Sequence, residues 1–525
     1  MGDEKKRKIV DFFLKKGVLV TADFIEEIEK RGVDEISKQI ESGQLSQVLL
    51  LSKEINQVIE KQGDSLNWEE IDKLKALTEK KKNKDVFDSA IETIKDSPVI
   101  EKDAAPKDVE VVFSYDEKSK PRTVADFVGY FNNRYKAIEK ILRNRPELKN
   151  TTSINRIIGK KERENASIIG IVTDKRYTKN QHIILTIEDL SGQINVLISK
   201  NRPDIYEEAD TIVLDEVIGI SGVNGENILF ANKVVWPDCI YKELKKSPKE
   251  EFACFLSDLH VGSTDFLEED FEKFLNWING NSGTDAQKEI SSKVKYIFIA
   301  GDLVDGVGIY PDQDNDLTIK DIYAQYNKCA ELLSKIPPRI NIILCPGNHD
   351  AVRIAEPQPV LQTEFIEKIL ALPNVTFVSN PGIVTFGKSE GFSGFDVLLY
   401  HGYSFDYFVS NVAAIRNQGG YDRPDLIMKF LLKRRHLAPS HTSTLYVPDA
   451  NKDTLVIEKT PDFFITGHIH KSAVAQYKST TLICGSCWQK KTAFQEKMGH
   501  HPDPCFVPVV NLQTRKIKIM RFKDV

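Results

Sequence analysis

The sequence predicts a multidomain chain: a small helical domain first, a β-barrel of the oligonucleotide/oligosaccharide-binding (OB) kind in the middle, and an α/β domain to the end. Three observations carry this. At 525 residues, 41% of them hydrophobic, the chain is too long for one ordinary domain and rich enough in apolar residues for more than one core. The period of the apolar residues changes twice along the chain, from helical to alternating to apolar runs separated by helical stretches. Finally, five apolar runs in the last part end in carboxylates, imidazoles or an amide.

The elements follow in order. Over residues 1–78, stretches such as IVDFFLKKG, ADFIEEIEKRG and SQVLLLSKEINQVI repeat at helical spacing with glycines at their ends, which reads as a small helical domain. Residues 79–122 turn lysine- and aspartate-rich (EKKKNKDVFDS, EKDAAPKDVE) with few large apolar residues, the composition of a flexible linker. Residues 123–242 begin with the amphipathic lead-in VADFVGYFNNRYKAIEKILRN. Five short strand-like runs follow (ASIIGIVTDKRY, HIILTIEDLSG, INVLISK, TIVLDEVIGISGV, NILFANKVVW), separated by turn signals. Five strands in that length fit a small closed barrel, with another compact antiparallel domain as the plain alternative. Single-stranded nucleic acid is one ligand for such a barrel, but Glu188, Asp189 and Asp215 dilute its charge, so protein docking is an equal reading. Residues 243–525 alternate apolar strands with helices such as EEDFEKFLNWI and VLQTEFIEKIL, a sheet covered on both faces.

Composition excludes several classes. A formal net charge of −5 argues against a protein that coats nucleic acid through bulk charge. The opening MGDEKKRKIVDFF lacks the apolar centre of a signal peptide, and no window approaches the ~18 apolar residues of a membrane span. A cytoplasmic location with no membrane partner is therefore expected. Seven scattered cysteines suit reduced thiols, and the pair Cys484 and Cys487 in CGSCWQ, with no second pair beside it, reads as structural.

The chemistry lies in the five strand ends. FACFLS runs into Asp258-Leu259-His260, YIFIA into Gly301-Asp302-Leu303-Val304-Asp305, INIILCPG into Asn348-His349-Asp350, FDVLLY into His401-Gly402, and DFFIT into Gly467-His468-Ile469-His470. In α/β sheets the ligand site lies at the carboxyl ends of the strands, so the five runs deliver their polar residues to one rim. Any one alone could be a cap or a turn residue. Together they hold five of the ten histidines in the chain. Nitrogen and oxygen donors without cysteine suit manganese, iron or zinc, and the set exceeds the needs of one ion. Two divalent ions are the arrangement that binds phosphate oxygens and supplies a hydroxide nucleophile at neutral pH, which points to phosphoester hydrolysis.

The ordered series DLH, GDLVD, GNHD, HG and GHIH resembles the calcineurin-like metallophosphoesterase signature. The resemblance implies a two-sheet sandwich flanked by helices. It also implies Asp258, His260, Asp302 and His470 around one ion, with Asp302 bridging to a second held by Asn348, His401 and His468. His349 is implied as the group that protonates the leaving oxygen. The contexts GVGIYPDQ, PGNHDAVRIAEPQP, LLKRRHLAP and WQKKT…VPVVNL resemble the small-subunit family of the archaeal family-D DNA polymerases over nearly the whole chain.

That family likeness implies a 3′→5′ exonuclease, two divalent ions (Mn²⁺ first, Fe or Zn as alternatives), a large catalytic polymerase subunit and single-stranded or primer-end DNA as partners, and a sliding clamp as a further candidate. The alternatives are a non-catalytic scaffolding B-subunit and a free-standing phosphodiesterase or phosphatase. Asp350 is expected to orient His349, Arg353 to contact phosphate or pair with Glu356, and Lys433-Arg434-Arg435-His436 to touch the DNA backbone or end a solvated helix. The closing FVPVVNLQTRKIKIMRF is expected to form an edge hairpin.

Overall fold

The computed structural model describes residues 18–20, 49–51, 108–117, 120–160, 163–497 and 500–523. The chain divides into two compact units, residues 1–101 and 102–525. In the first, the described residues are two strands, β1 (Val18–Val20) and β2 (Leu49–Leu51), paired in parallel. The helical domain expected over 1–78 otherwise lies outside the described residues; of the two triplets, Leu49–Leu51 is a strand in a stretch read as helix.

In the second unit, β3 (Val109–Phe113) precedes a long helix, α1 (Val124–Leu142). A capping box starts α1, with Thr123 and Asp126 serving each other's side chain and backbone. The barrel follows as β4 (Asn165–Tyr177), β5 (Ile183–Asp189), β6 (Gly192–Ile198), β7 (Val217–Asn224) and β8 (Ile228–Val235), closed in the order β4-β5-β6-β8-β7. Alternating inward residues such as Ile183, Leu185, Ile187, Val196 and Ile198 fill it. The strand count is as the sequence predicts. Helix α2 (Pro203–Asp210), between β6 and β7, was not foreseen; Pro203 in its first turn suits a helix start.

The rest forms two six-stranded sheets. One runs β12 (Val375–Phe377), β11 (Asn341–Cys345), β10 (Val294–Ala300), β9 (Phe252–Leu256), β18 (Phe506–Asn511), β19 (Ile517–Arg521). The other runs β16 (Ala473–Tyr477), β17 (Thr480–Cys484), β15 (Phe463–Thr466), β14 (Phe395–Leu399), β13 (Gly382–Phe386), β3. The sheets face each other across a core of Phe255, Phe298, Ile343, Phe386, Val397 and Phe463. Helices cover the outer faces, which is why the central strands are buried end to end and read as unbroken apolar runs. Strands β9, β10 and β11 are parallel neighbours in one sheet and β14 and β15 in the other, so all five carboxyl ends meet at one rim.

Two expectations change and one holds. The 79–122 linker contains β3, which pairs antiparallel with β13, so the α/β part draws a strand from before the barrel. Strand β19 does form the expected edge hairpin with β18. The basic cluster at 433–436 is not a DNA contact but the joint between barrel and sheets. Buried Arg434 pairs with buried Glu216 of the barrel at 2.6 Å, and Arg435, at a left-handed helix end, donates to the Ile457 and Glu458 carbonyls. Lys433 lies over the Trp236 ring, and His436 shares the Asp453 carboxylate with Arg134 of α1. The sequence shows the charges but not their partners, which lie far away along the chain. Among the described residues, no helix is long and apolar enough to cross a membrane.

Burial and the neighbouring Arg134 guanidinium pull the imidazole of His436 down to about 4, against the pull of Asp453. The unfolded chain, with an ordinary histidine near 6.5, therefore binds more protons between pH 6.5 and 4, and stability falls as pH falls through that window. Denaturant unfolding of wild type is expected to lose about 2 kcal/mol more between pH 7 and 5 than unfolding of His436→Gln. Equal losses would show that this imidazole is not the titrating group.

Candidate functional site

The strand ends turn sharply, and the turns place the polar groups. Twelve non-glycine residues among those described have positive φ, and five are Asp258, His260, Asp302, His468 and His470. Each left-handed residue costs roughly 1–3 kcal/mol, so their concentration at one rim marks backbone that the surrounding structure must hold in place. Glycines let the loops close in. A β-carbon on Gly347 would stand against the Asp302 carboxylate, one on Gly301 against the His401 ring, and one on Gly467 against Asp258.

Asp258, His260 and His470 form one buried group with donor atoms within 4.8 Å of one another, and Asp258, Asp302 and His401 another. His260, Asp302 and His349 form a third. His260 Nε2 and His470 Nε2 are 3.0 Å apart, and His470 Nε2 is 3.5 Å from Asp258 Oδ1. Across Asp302, the Oδ2 atom stands 3.3 Å from His401 Nε2 and 3.8 Å from His260 Nε2. Asn348 Oδ1 lies 2.9 Å from His401 Nε2. Ligand atoms around one ion at ~2.1 Å stand roughly 3–3.4 Å apart, so the shorter of these spacings suit the ligand shell of a cation.

Charge supports the same fit. Burial opposes a proton on His401, yet Asp302 and Asp258 outweigh it and lift the imidazole to about 10. Burial likewise opposes ionisation of Asp302, but His401 and His349 hold its carboxyl well below the usual range. The carboxylates of the rim thus favour positive charge beside His401.

The outer contacts orient the donors. His260 Nδ1 meets Asp305 Oδ1 at 3.1 Å, and Asp305 also accepts from Gln313 and Gln489. His470 Nδ1 faces Gln495, and His401 Nδ1 faces the Ala300 carbonyl. His468 stands apart: its Nε2 meets Asp406 at 2.8 Å, leaving Nδ1 as the nitrogen for a metal, while its backbone N–H donates to Asp258. His349 is held by its own N–H on Asp302 and by Nδ1 on the Asp305 carbonyl at 2.8 Å.

Asp305, Asp406 and Gln495 were missed as functional. Asp305 stands in GDLVD and Asp406 shortly after His401, but nothing in the local sequence marks Gln495. Asp350 does not orient His349. It accepts from Gly347 N–H, Leu303 N–H and the Tyr326 hydroxyl, tying two site loops together, and burial with repulsion from Asp302 lifts it to about 7. Arg353 neither faces the cluster nor pairs with Glu356; it donates to the Pro357 carbonyl and lies over the Tyr115 ring. Glu356 is buried against Tyr400 instead. Cys484 and Cys487 are buried free thiols, and burial raises both.

Replacing Asp305 by Asn removes the carboxylate behind His260 while keeping the size of the side chain. Calorimetric titration with Mn²⁺ is expected to show affinity weakened about 10- to 100-fold with the fold intact. Unchanged affinity would mean that Asp305 serves packing alone.

Comparison with known proteins places this rim in a family. The model of the DNA polymerase alpha/epsilon B-subunit family matches residues 253–475, and that of the OB-fold nucleic acid binding domain matches residues 166–226. A DNA polymerase II small subunit of Methanothermobacter thermautotrophicus is 38% identical over 394 residues, covering 75% of this chain and 79% of that protein. Proteins of the same name from Pyrococcus furiosus and Archaeoglobus fulgidus are 40% and 39% identical, over 76% and 74% of this chain. The chain spans 64% of the Pyrococcus furiosus relative and 75% of the Archaeoglobus one. With its barrel, its two sheets and this level of identity, the chain belongs to the small subunits of the archaeal family-D DNA polymerase, DNA polymerase II.

Proposed function

We propose that the chain is the 3′→5′ exonuclease of a two-subunit replicative polymerase, removing the terminal nucleotide of a primer beside a large catalytic subunit. The observation that carries this reading is the undiminished donor set: Asp258, His260, Asp302, Asn348, His401 and His470 converge at one buried rim, with His468 at its edge. A subunit that only bridges other proteins has no need of so many clustered ionisable groups, which are costly to bury. In this reading the two sheets make a metallophosphoesterase domain.

Asp258, His260, Asp302 and His470 would hold one divalent ion, and Asp302, Asn348, His401 and His468 the other, manganese by preference. The ions would supply Lewis acidity and neutralise charge on the phosphate. The protein groups do the rest. Asp302, fixed by the His349 N–H, keeps the two halves of the rim in register. His349, with Nδ1 engaged by the Asp305 carbonyl, leaves Nε2 to serve the departing 3′-oxygen. Burial lowers the His349 pKa in the free chain, so the ring is mostly neutral at pH 7 until a phosphate's negative charge favours its protonation. Water then adds at phosphorus and gives up one proton to solvent, the P–O3′ bond breaks, and the proton of His349 passes to the released 3′-oxygen, leaving the nucleotide with its 5′-phosphate.

The assay is release of mononucleotides from a 3′-labelled mismatched primer by the two-subunit complex in Mn²⁺. Asp302→Ala is expected to abolish release. His349→Ala is expected to lower the rate about 10²–10⁴-fold while retaining Mn²⁺ binding. Absence of release by the wild-type complex would favour the scaffolding B-subunit, and hydrolysis of small phosphodiesters without DNA would favour a free-standing phosphodiesterase.

A further inference from the structure

The loop after Asp305 has features that neither packing nor the ligand set requires. Within GVGIYPDQ, Val307, Ile309 and Tyr310 are 49%, 37% and 40% exposed, three large apolar side chains within four residues. Gly306 and Gly308 both have positive φ, and a β-carbon on Gly308 would touch nothing, so that glycine serves the turn and not a close approach. The exposure does not come from a slack loop. Buried Gln325 clamps Gly306 through both amide atoms, at 2.9 and 3.0 Å. Buried Gln313 accepts from the Ile309 N–H and donates to both the carbonyl and the carboxylate of Asp305. The Tyr310 hydroxyl donates to Asp316 at 3.1 Å, which fixes the ring.

The loop is therefore an apolar rim of set shape, and its root is the residue that orients His260 and His349. A β-carbon placed on Gly306 would meet both the His349 carbonyl and the Ile309 side chain, so the rim begins beside the proposed proton donor. Exposed apolar side chains held rigid next to a phosphate-binding rim suit a flat, weakly polar ligand attached to that phosphate. A nucleobase is such a group, and stacking on an aromatic or apolar platform is worth about 1–3 kcal/mol per base.

We infer that the 307–310 loop is the platform on which the unpaired 3′-terminal nucleobase stacks, with Tyr310 and Ile309 as the contacting residues. This rests on the exonuclease reading for the identity of the phosphate. A base that is already unpaired reaches the platform without the cost of unstacking, so the loop selects frayed or mismatched ends.

The test uses the full chain with its large subunit and a mismatched primer carrying 2-aminopurine at its 3′ end. In the His349→Ala background, which slows cleavage of the terminal linkage about 10²–10⁴-fold, binding is expected to change the emission at least about twofold. Tyr310→Ser should lose that change and Tyr310→Phe keep it. An emission unchanged on binding, or equally changed with Tyr310→Ser, overturns the inference. In a rate arm with wild-type residue 349, a primer ending in an abasic sugar is expected to be cleaved roughly 10-fold more slowly than one ending in a base, with the difference gone in Tyr310→Ser. Equal rates in wild type overturn the platform and leave the exonuclease standing. No cleavage of either primer defeats the exonuclease reading, while the emission arm still decides the platform.

Discussion

The Asp302 carboxylate is the group on which the rim depends. It is buried where the two sheets meet, it stands within 4 Å of imidazoles from both sheets, His260 and His401, and it accepts the His349 N–H. A lone carboxylate there would be protonated; this one is held ionised because the neighbouring imidazoles repay its desolvation. Its placement requires a left-handed turn at Asp302 itself, a glycine at 301 to clear His401, and a glycine at 347 to let the next loop close over it. Three sequence features otherwise unrelated, GD, GNH and HG, are thus one packing problem.

The second tier of contacts is as ordered as the first. Asp305 joins His260, His349, Gln313 and Gln489 through its carboxylate and carbonyl. Asp350, on the other side, joins the 303 and 347 backbones and Tyr326. A site held this way loses little freedom when a charged ligand enters, because its donors are already aimed. The 307–310 rim is continuous with that tier through Gln313, so the parts that would touch base, phosphate and proton share one rigid support.

Much of this was legible in the sequence because its signals are local. Each motif follows an apolar run, and the five runs are buried central strands whose carboxyl ends must share a rim. The barrel was legible from alternation. What failed was everything decided by distant partners. The charged cluster at 433–436 looks equally like a polyanion contact or a solvated helix end until Glu216, Asp453 and the 457–458 carbonyls are placed against it. Strand β3 sits in a lysine- and aspartate-rich stretch, and only pairing with β13 makes it a strand. Asp350 was assigned to its sequence neighbour His349, but its side chain turns toward Tyr326.

We propose that the rim is a cradle for two cations sharing Asp302. Electron paramagnetic resonance of the full chain titrated with Mn²⁺ addresses it directly. Two ions per chain with the broadened spectrum of an exchange-coupled pair, reduced to at most one uncoupled ion in Asp302→Asn, is the predicted result. A single isolated ion in the wild-type chain, or a coupled pair that survives Asp302→Asn, would contradict it.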